Sequence, residues 1–317
     1  MTLIPSHYDL HYHKIDLNKT FTFDGRVAIT CQGAAERVAK NRIVLHALEL
    51  QLHKATLQQV LSEGDSVSYT AHEFRYNLQH QTCEIVFDES LSIADNQTYQ
   101  LVIDFSGTLN DQMCGLYRST YKTLDGTLQR MAVTQFEATD ARRAFPCWDE
   151  PAIKATFALT VTVPSKPDNP QVFLHCLSNT PIASSLTTYQ EQTKLLSKTV
   201  SFQKTPKMST YLVALIIGEL DAISQTSRPS TESDTTSHPQ ITTTVYTVPG
   251  KAQRGTFCLE TASRCLDLYQ ELYGIAYPLV KSDLIAIPDF AAGAMENWGC
   301  GMYLMIVIDS VISMCAF

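Results

Sequence analysis

The sequence predicts a mainly β N-terminal sandwich domain over about residues 1–215, followed by an incomplete α+β domain over 216–317. Three observations predict it. Up to about residue 215 apolar and polar residues alternate with a period of two, as in strands that bury one face. From Ser224 to Thr244 the composition shifts to Ser, Thr, Pro and Asp with almost nothing apolar. After Pro249-Gly250 the period becomes that of a helix, and a strand pattern returns at Ser282.

Taken in order, Tyr8, Leu10 and Tyr12 alternate with Asp9, His11 and His13. Cys83, Ile85 and Phe87 repeat the pattern, as do Tyr99, Leu101, Ile103 and Phe105. Phe157, Leu159, Val161 and Val163 form a further strand that Pro164 stops. Several such strands between turn residues predict a sandwich. The continuous apolar run from Tyr211 to Ile217 reads as a fully buried strand ending at Gly218. Residues 224–244 read as a mobile surface loop, because so little apolar surface cannot offset the entropy of ordering. A helix is predicted from about Lys251 to Tyr273, with Phe257, Thr261, Cys265, Leu268 and Leu272 on its apolar stripe and Gly274 at the C-cap.

Composition excludes several functions. The net charge of −8 comes without a Lys/Arg block, so a nucleic-acid partner lacks its electrostatic footprint. Nine cysteines with no Cys-x-x-Cys pair fit a reduced interior better than a disulfide framework or a structural zinc site. The N-terminus, Met1 to His7, has no secretory pattern, so a cytoplasmic location is expected. Asn18-Lys19-Thr20 and Asn96-Gln97-Thr98 match the glycosylation acceptor pattern and are read as unused. The apolar stretch from Met302 to Phe317 is shorter than the roughly 20 residues of a span and is interrupted by Asp309, so no membrane association is expected.

The chemistry concentrates in Gly293-Ala294-Met295-Glu296-Asn297-Trp298-Gly299. Small residues allow close approach of another backbone, as when a peptide adds as a strand, and Glu296 supplies a carboxylate beside it. A carboxylate facing an ammonium makes charge-assisted hydrogen bonds worth about 1.5–3 kcal/mol each. The same group rejects a capped amine, which would leave it unpaired. A lone Glu is ordinarily solvated surface, and it is the surrounding frame that sets this one apart. A second charged stretch runs from Thr134 to Pro151 and contains Gln135, Glu137, Arg142, Arg143, Asp149 and Glu150. The last four read as a structural ion-pair network around a turn.

These two runs, with Thr205 to Ala214, closely resemble the zinc aminopeptidases of the aminopeptidase N and puromycin-sensitive type. The resemblance extends from about residue 5 to Tyr303. It implies a saddle-like N-terminal β domain followed by the start of a thermolysin-like catalytic domain. It further implies that Glu296 and Glu137 hold the α-ammonium of a peptide with a free N-terminus, assisted by Gln135. Like charges held together are relieved by a cation between them. The backbone of Gly293 and Ala294 would bind the substrate backbone, Met295 would line the pocket for the first side chain or equally serve as core filler, and Asn297 belongs to the same frame.

Catalysis in that family needs zinc held by His-Glu-x-x-His on a helix and by a further Glu. The last histidine of the chain is His238, upstream of the frame. His72-Glu73-Phe74-Arg75-Tyr76 begins like the motif, but residue 76 is Tyr. His7, His11 and His13 read as a polar outer face. No metal ligand and no complete catalytic set is therefore assigned; zinc belongs to the intact family member and is not expected to bind this chain. Leu304 stands where the family has arginine, so a junction is expected near Cys300, with a divergent tail over 300–317 from a truncated gene model or retained intron. The expected function is the N-terminal portion of a zinc aminopeptidase, inactive alone. The alternative is a non-catalytic isoform that binds peptide N-termini or a partner through the β domain.

Overall fold

The computed structural model describes residues 3–34, 40–60, 67–123, 125–166, 169, 171–191, 195–226 and 240–308. The first strands are β1 (Leu3–Ile15), β2 (Thr22–Gly33), β3 (Lys40–His46), β4 (Leu50–Gln59), β5 (Ser68–Asn77), β6 (Thr82–Leu91) and β7 (Thr98–Thr108). There follow β8 (Gly115–Lys122), β9 (Leu128–Gln135), β10 (Thr156–Val163), β11 (His175–Ser178), β12 (Ile182–Gln190), β13 (Leu195–Phe202) and β14 (Leu215–Gly218). The last stretch holds β15 (Asp221–Thr226), β16 (Thr242–Thr247), helix α1 (Thr256–Tyr273), β17 (Lys281–Ile287), β18 (Ala294–Met295), β19 (Cys300–Leu304) and the single turn α2 (Met305–Ile308). Among the described residues the chain is thus mainly β, with its two α-helices in the second half.

Two compact units form. The first comprises Met1–Tyr117, Thr134–Phe173 and Ile182–Val213; the second comprises Arg118–Val133, Leu174–Pro181 and Ala214–Phe317. A boundary drawn at residue 215 would fall on the first residue of β14, which lies between β11 and β9 in a four-stranded sheet.

The first unit is built on a ten-stranded sheet in the order β12-β13-β10-β1-β2-β7-β4-β5-β6-β3. The predicted alternations appear in it as buried faces. Tyr8, Leu10 and Tyr12 of β1 are buried, as are Tyr99, Leu101, Ile103 and Phe105 of β7, Cys83, Ile85 and Phe87 of β6, and Phe157, Leu159, Val161 and Val163 of β10. Register explains the packing: Tyr8 lies opposite Phe157, and the rings stack with centroids 5.0 Å apart. Burying each such side chain contributes about 1.5–3 kcal/mol. On the other face of β1, His7 and His11 are half-buried and His13 is exposed, with His7 Nδ1 2.8 Å from Thr156 Oγ1.

The β1–β2 turn is stapled by Asp16. Its carboxylate accepts from the backbone N–H of Asn18 (2.9 Å), Lys19 (3.0 Å) and Thr20 (3.0 Å) and from the Thr20 hydroxyl (2.8 Å). Desolvation opposes ionisation, but these donors outweigh it and hold the carboxyl well below its ordinary value of 3.8. A depressed folded pKa stabilises above the unfolded value, and that stabilisation is lost as pH falls below it. Asp16→Ala is therefore expected to cost about 1 kcal/mol at neutral pH, the scale of a capping side chain. The difference from wild type should shrink as pH drops below about 4, read from urea midpoints across the pH series.

The charged stretch near residue 142 folds as the sequence suggests, around a 3-10 turn at Ala141–Arg143. Arg142 pairs with Asp149 (3.0 Å) and Arg143 with Asp140 (2.7 Å) and Glu49 (2.6 Å). Glu150 is exposed. His72, the start of the partial metal motif, lies on β5 with Nδ1 3.2 Å from Asp88, while Glu73 pairs with Arg75.

In the second unit the four-stranded sheet runs β11-β14-β9-β8 and a five-stranded sheet runs β15-β16-β17-β19-β18. Helix α1 is the crossover that joins the parallel pair β16 and β17. It ends where predicted, with Gly274 left-handed at φ 63°.

Three expectations are corrected. The buried face of α1 is Cys258, Leu259 and Ala262, packed on Val245, Leu284, Ala286 and Tyr303. Phe257, Leu268 and Leu272 of the predicted stripe are exposed, and Thr261 and Cys265 are half-buried. The helix has apolar residues on adjoining faces, and the face turned to the sheet is the one that carries Cys258, Leu259 and Ala262. The run from Tyr211 is a 3-10 turn at Thr210–Leu212, and only Leu215–Gly218 pairs as strand. Its backbone is diverted from a ladder because Val213 N bonds Thr210 O (3.1 Å) and Ala214 N bonds the Asn179 side chain (2.9 Å). The loop expected over 224–244 is trimmed at both ends by the antiparallel pair β15 and β16, in which Thr226 lies opposite Thr242; residues 227–239 lie outside the described residues. At the start of the tail read as divergent, Cys300–Leu304 joins the sheet between β17 and β18, in register with both, so Tyr303 lies in a strand; residues 309–317 lie outside the described residues.

Candidate functional site

The frame occupies the edge of the five-stranded sheet. β18 is its outermost strand, with Ala294 opposite Tyr303 and Met295 opposite Met302. Leu304 N donates to Gly293 O (3.1 Å), which extends the pairing by one residue. Alternation then sorts the side chains: Ala294 and Glu296 are exposed, whereas Met295 is fully buried and Asn297 nearly so. A Cβ on Gly293 would meet nothing within 4 Å among the described residues. The outer rim of the sheet thus offers small residues, backbone and one carboxylate. Met295, expected beside the first side chain of a substrate, is packed into the unit.

Both ends of the frame are held. Before it, Asp289 Oδ2 accepts from Thr120 N (2.8 Å), the Thr120 hydroxyl (3.2 Å) and the Ser119 hydroxyl (3.3 Å), and Asp289 N donates to Ser119 Oγ (3.0 Å). After it, Cys300 N donates to Asn297 O (2.9 Å), and Gly299 turns the chain at φ 69°. Burial, with Cys258 and the Glu296 charge adding to it, pushes the Tyr303 phenol up.

Gln135 and Glu137 lie in the first unit. Gln135 ends β9 and is buried, and its Oε1 has no hydrogen-bond partner among the described residues. Leaving a buried acceptor unpaired costs about 1–3 kcal/mol, which a donor arriving from outside would recover. Phe136 anchors the strand end, with its ring 6.0 Å from that of Phe145. Glu137 follows in the turn with its side chain exposed, and the Glu137–Ala138 peptide bond is cis.

Sequence reasoning missed the residues that hold the frame: Ser119 and Thr120, Asn179, and the pair Lys281 and Asp283. Lys281-Ser282-Asp283 carried one usable signal, since opposite charges two apart on a strand share a face.

A large β unit followed by a β-α-β unit whose edge strand presents a carboxylate defines the class, and the chain belongs to the peptidase M1 family. Residues 4–212 match the peptidase M1 N-terminal domain and residues 257–313 the peptidase family M1 domain. The second match continues past the junction expected at Cys300. Among relatives, the chain is 41% identical to aminopeptidase M1 of Arabidopsis thaliana over 95% of its length and 30% of the relative's. It is 38% identical to the puromycin-sensitive aminopeptidase of Caenorhabditis elegans over 96% of its length and 29% of the relative's. With endoplasmic reticulum aminopeptidase 1 of Homo sapiens it is 35% identical over 95% of its length and 29% of the relative's. The chain therefore spans under a third of these relatives.

The family is zinc-dependent. Among the described residues there is no group of three or more His, Cys, Asp or Glu that could hold a metal ion. Among the same residues no helix is long and apolar enough to cross a membrane.

Proposed function

We propose that this chain carries the substrate-anchoring portion of a zinc aminopeptidase, which binds peptides through a free N-terminus and does not hydrolyse them unaided. Glu296 and Glu137 receive the α-ammonium, with Gln135 Oε1 as a third acceptor. The rim formed by Gly293 and Ala294 runs beside the substrate backbone, and Met295 and Asn297 support it from within the unit. The observation that carries the reading is the exposure of Glu296 at the end of an outermost strand whose neighbours in sequence are both buried. The unpartnered oxygen of Gln135 favours a donor ligand over a second acceptor. Removal of N-terminal residues is assigned to the intact enzyme, and a cytoplasmic location is supported by the free thiols of the described cysteines.

Calorimetric titration of the full chain with alanine tripeptide and its N-acetyl form tests this. The free amine should bind more tightly, and Glu296→Gln should weaken it about ten- to hundredfold, the equivalent of one charge-assisted hydrogen bond. Equal affinity for both peptides would overturn the reading.

A further inference from the structure

We propose that Asn179 is a positioning residue for the amine anchor, acting with Lys281 to clamp the turn Trp298-Gly299 that closes the Glu296 frame. The inference rests on the anchoring role proposed above, and every group it uses lies in the second unit.

Asn179 is 1% exposed and divides its side-chain amide between two backbones. Oδ1 accepts from Ala214 N at 2.9 Å, at the entry to β14, and Nδ2 donates to Trp298 O at 3.0 Å. Its main chain closes on the same turn: a Cβ on Gly299 would lie 2.2 Å from Asn179 O. That approach is open only to glycine. Gly299 supplies it together with its left-handed φ.

From the other side Lys281 Nζ donates to Gly299 O at 2.6 Å and pairs with Asp283 Oδ2 at 2.6 Å, the two side chains being 14% and 5% exposed. Asp283 N adds a bond to Gly299 O at 3.1 Å. A buried ion pair is weak as a source of net stability, because desolvation consumes much of its attraction. Here its ammonium is directed at one carbonyl, three residues from Glu296. The turn is gripped at successive carbonyls, Trp298 O and Gly299 O, by groups from two different chain segments. The Glu296 side chain meanwhile stays exposed. A binding carboxylate must be held to within about 0.5 Å, and locking the backbone that carries it is how a flexible, exposed Glu achieves this.

The test measures affinity of the full chain for alanine tripeptide and for its N-acetyl form in wild type, Asn179→Ala, Lys281→Met and Lys281→Arg, with a thermal melt of each. The ratio of the two affinities is the deciding readout. Misplacing Glu296 penalises only the free amine, whereas a general loss of structure weakens both peptides alike. Asn179→Ala and Lys281→Met should each lower the ratio tenfold or more, and Lys281→Arg, which keeps the donors, should restore most of it. A wild type that shows the preference while both variants melt cooperatively and keep the ratio within twofold overturns the clamp alone. A wild type without the preference overturns the anchoring reading itself. Hydrogen exchange of the wild type covers variants that fail to fold: slow exchange at Gly299 and Cys300 supports the clamp, and exchange at the rate of an open loop overturns it.

Discussion

Asp149→Ala is expected to destabilise the first unit by about 3–5 kcal/mol, the cost of breaking a buried ion pair from one side. The Asp149 side chain is 1% exposed and that of Arg142 9%. One carboxylate oxygen accepts from Arg142 Nε (3.0 Å) and Arg142 N (3.3 Å), and the other from the Thr210 hydroxyl (2.7 Å). The Asp149 carbonyl takes Arg142 Nη2 (3.1 Å), and Gln81 Oε1 takes Nη1 (3.0 Å). Alanine would leave the guanidinium without its counter-charge and the threonine hydroxyl without this acceptor. The effect should appear as a fall in the urea midpoint with an unchanged slope. A loss below 1 kcal/mol would mean that water reaches Arg142.

Gly299→Ala is expected to cost at least 2 kcal/mol and to abolish preference for a free N-terminus. A left-handed residue with a Cβ costs about 1–2 kcal/mol before any clash. Here the Cβ would also lie 2.2 Å from Asn179 O and 2.7 Å from Leu279 Cδ1, so the turn or the Asn179 backbone must move. Gly293→Ala is the contrast six residues upstream. Its Cβ meets open space, so its stability should stay within about 0.5 kcal/mol of wild type. Equal melting of the two variants would show that the turn adapts freely.

Much of the fold was legible because strand burial is written locally. The alternations at Tyr8, Cys83, Tyr99 and Phe157 each became one buried face, and Gly274 marked a helix end by its own conformational freedom. Sequence reading failed where the answer depended on a distant partner. The buried face of α1 was decided by how Cys258, Leu259 and Ala262 pack on Val245, Leu284 and Ala286, not by the apolar stripe beside it. The run after Thr210 looked like a strand, but Asn179, 35 residues earlier in the chain, took the Ala214 N–H.

The same division holds at the site. Gly293 to Gly299 could be read because its residues are contiguous. Its supports could not: Asn179 meets Trp298 across 119 residues and Ser119 meets Asp289 across 170. Neither spacing leaves a local pattern. Exposure of Glu296 beside a buried Met295 and Asn297 also needed the edge position of β18 to be known.

The anchoring role is tested most directly by pairwise titration of the full chain with alanine tripeptide bearing a free or an acetylated N-terminus, repeated with Glu296→Gln and Glu137→Gln. An amine anchor built on both carboxylates requires tighter binding of the free amine by wild type and loss of that preference in both variants. Equal binding of the two peptides by wild type, or a preference that survives both substitutions, would contradict it.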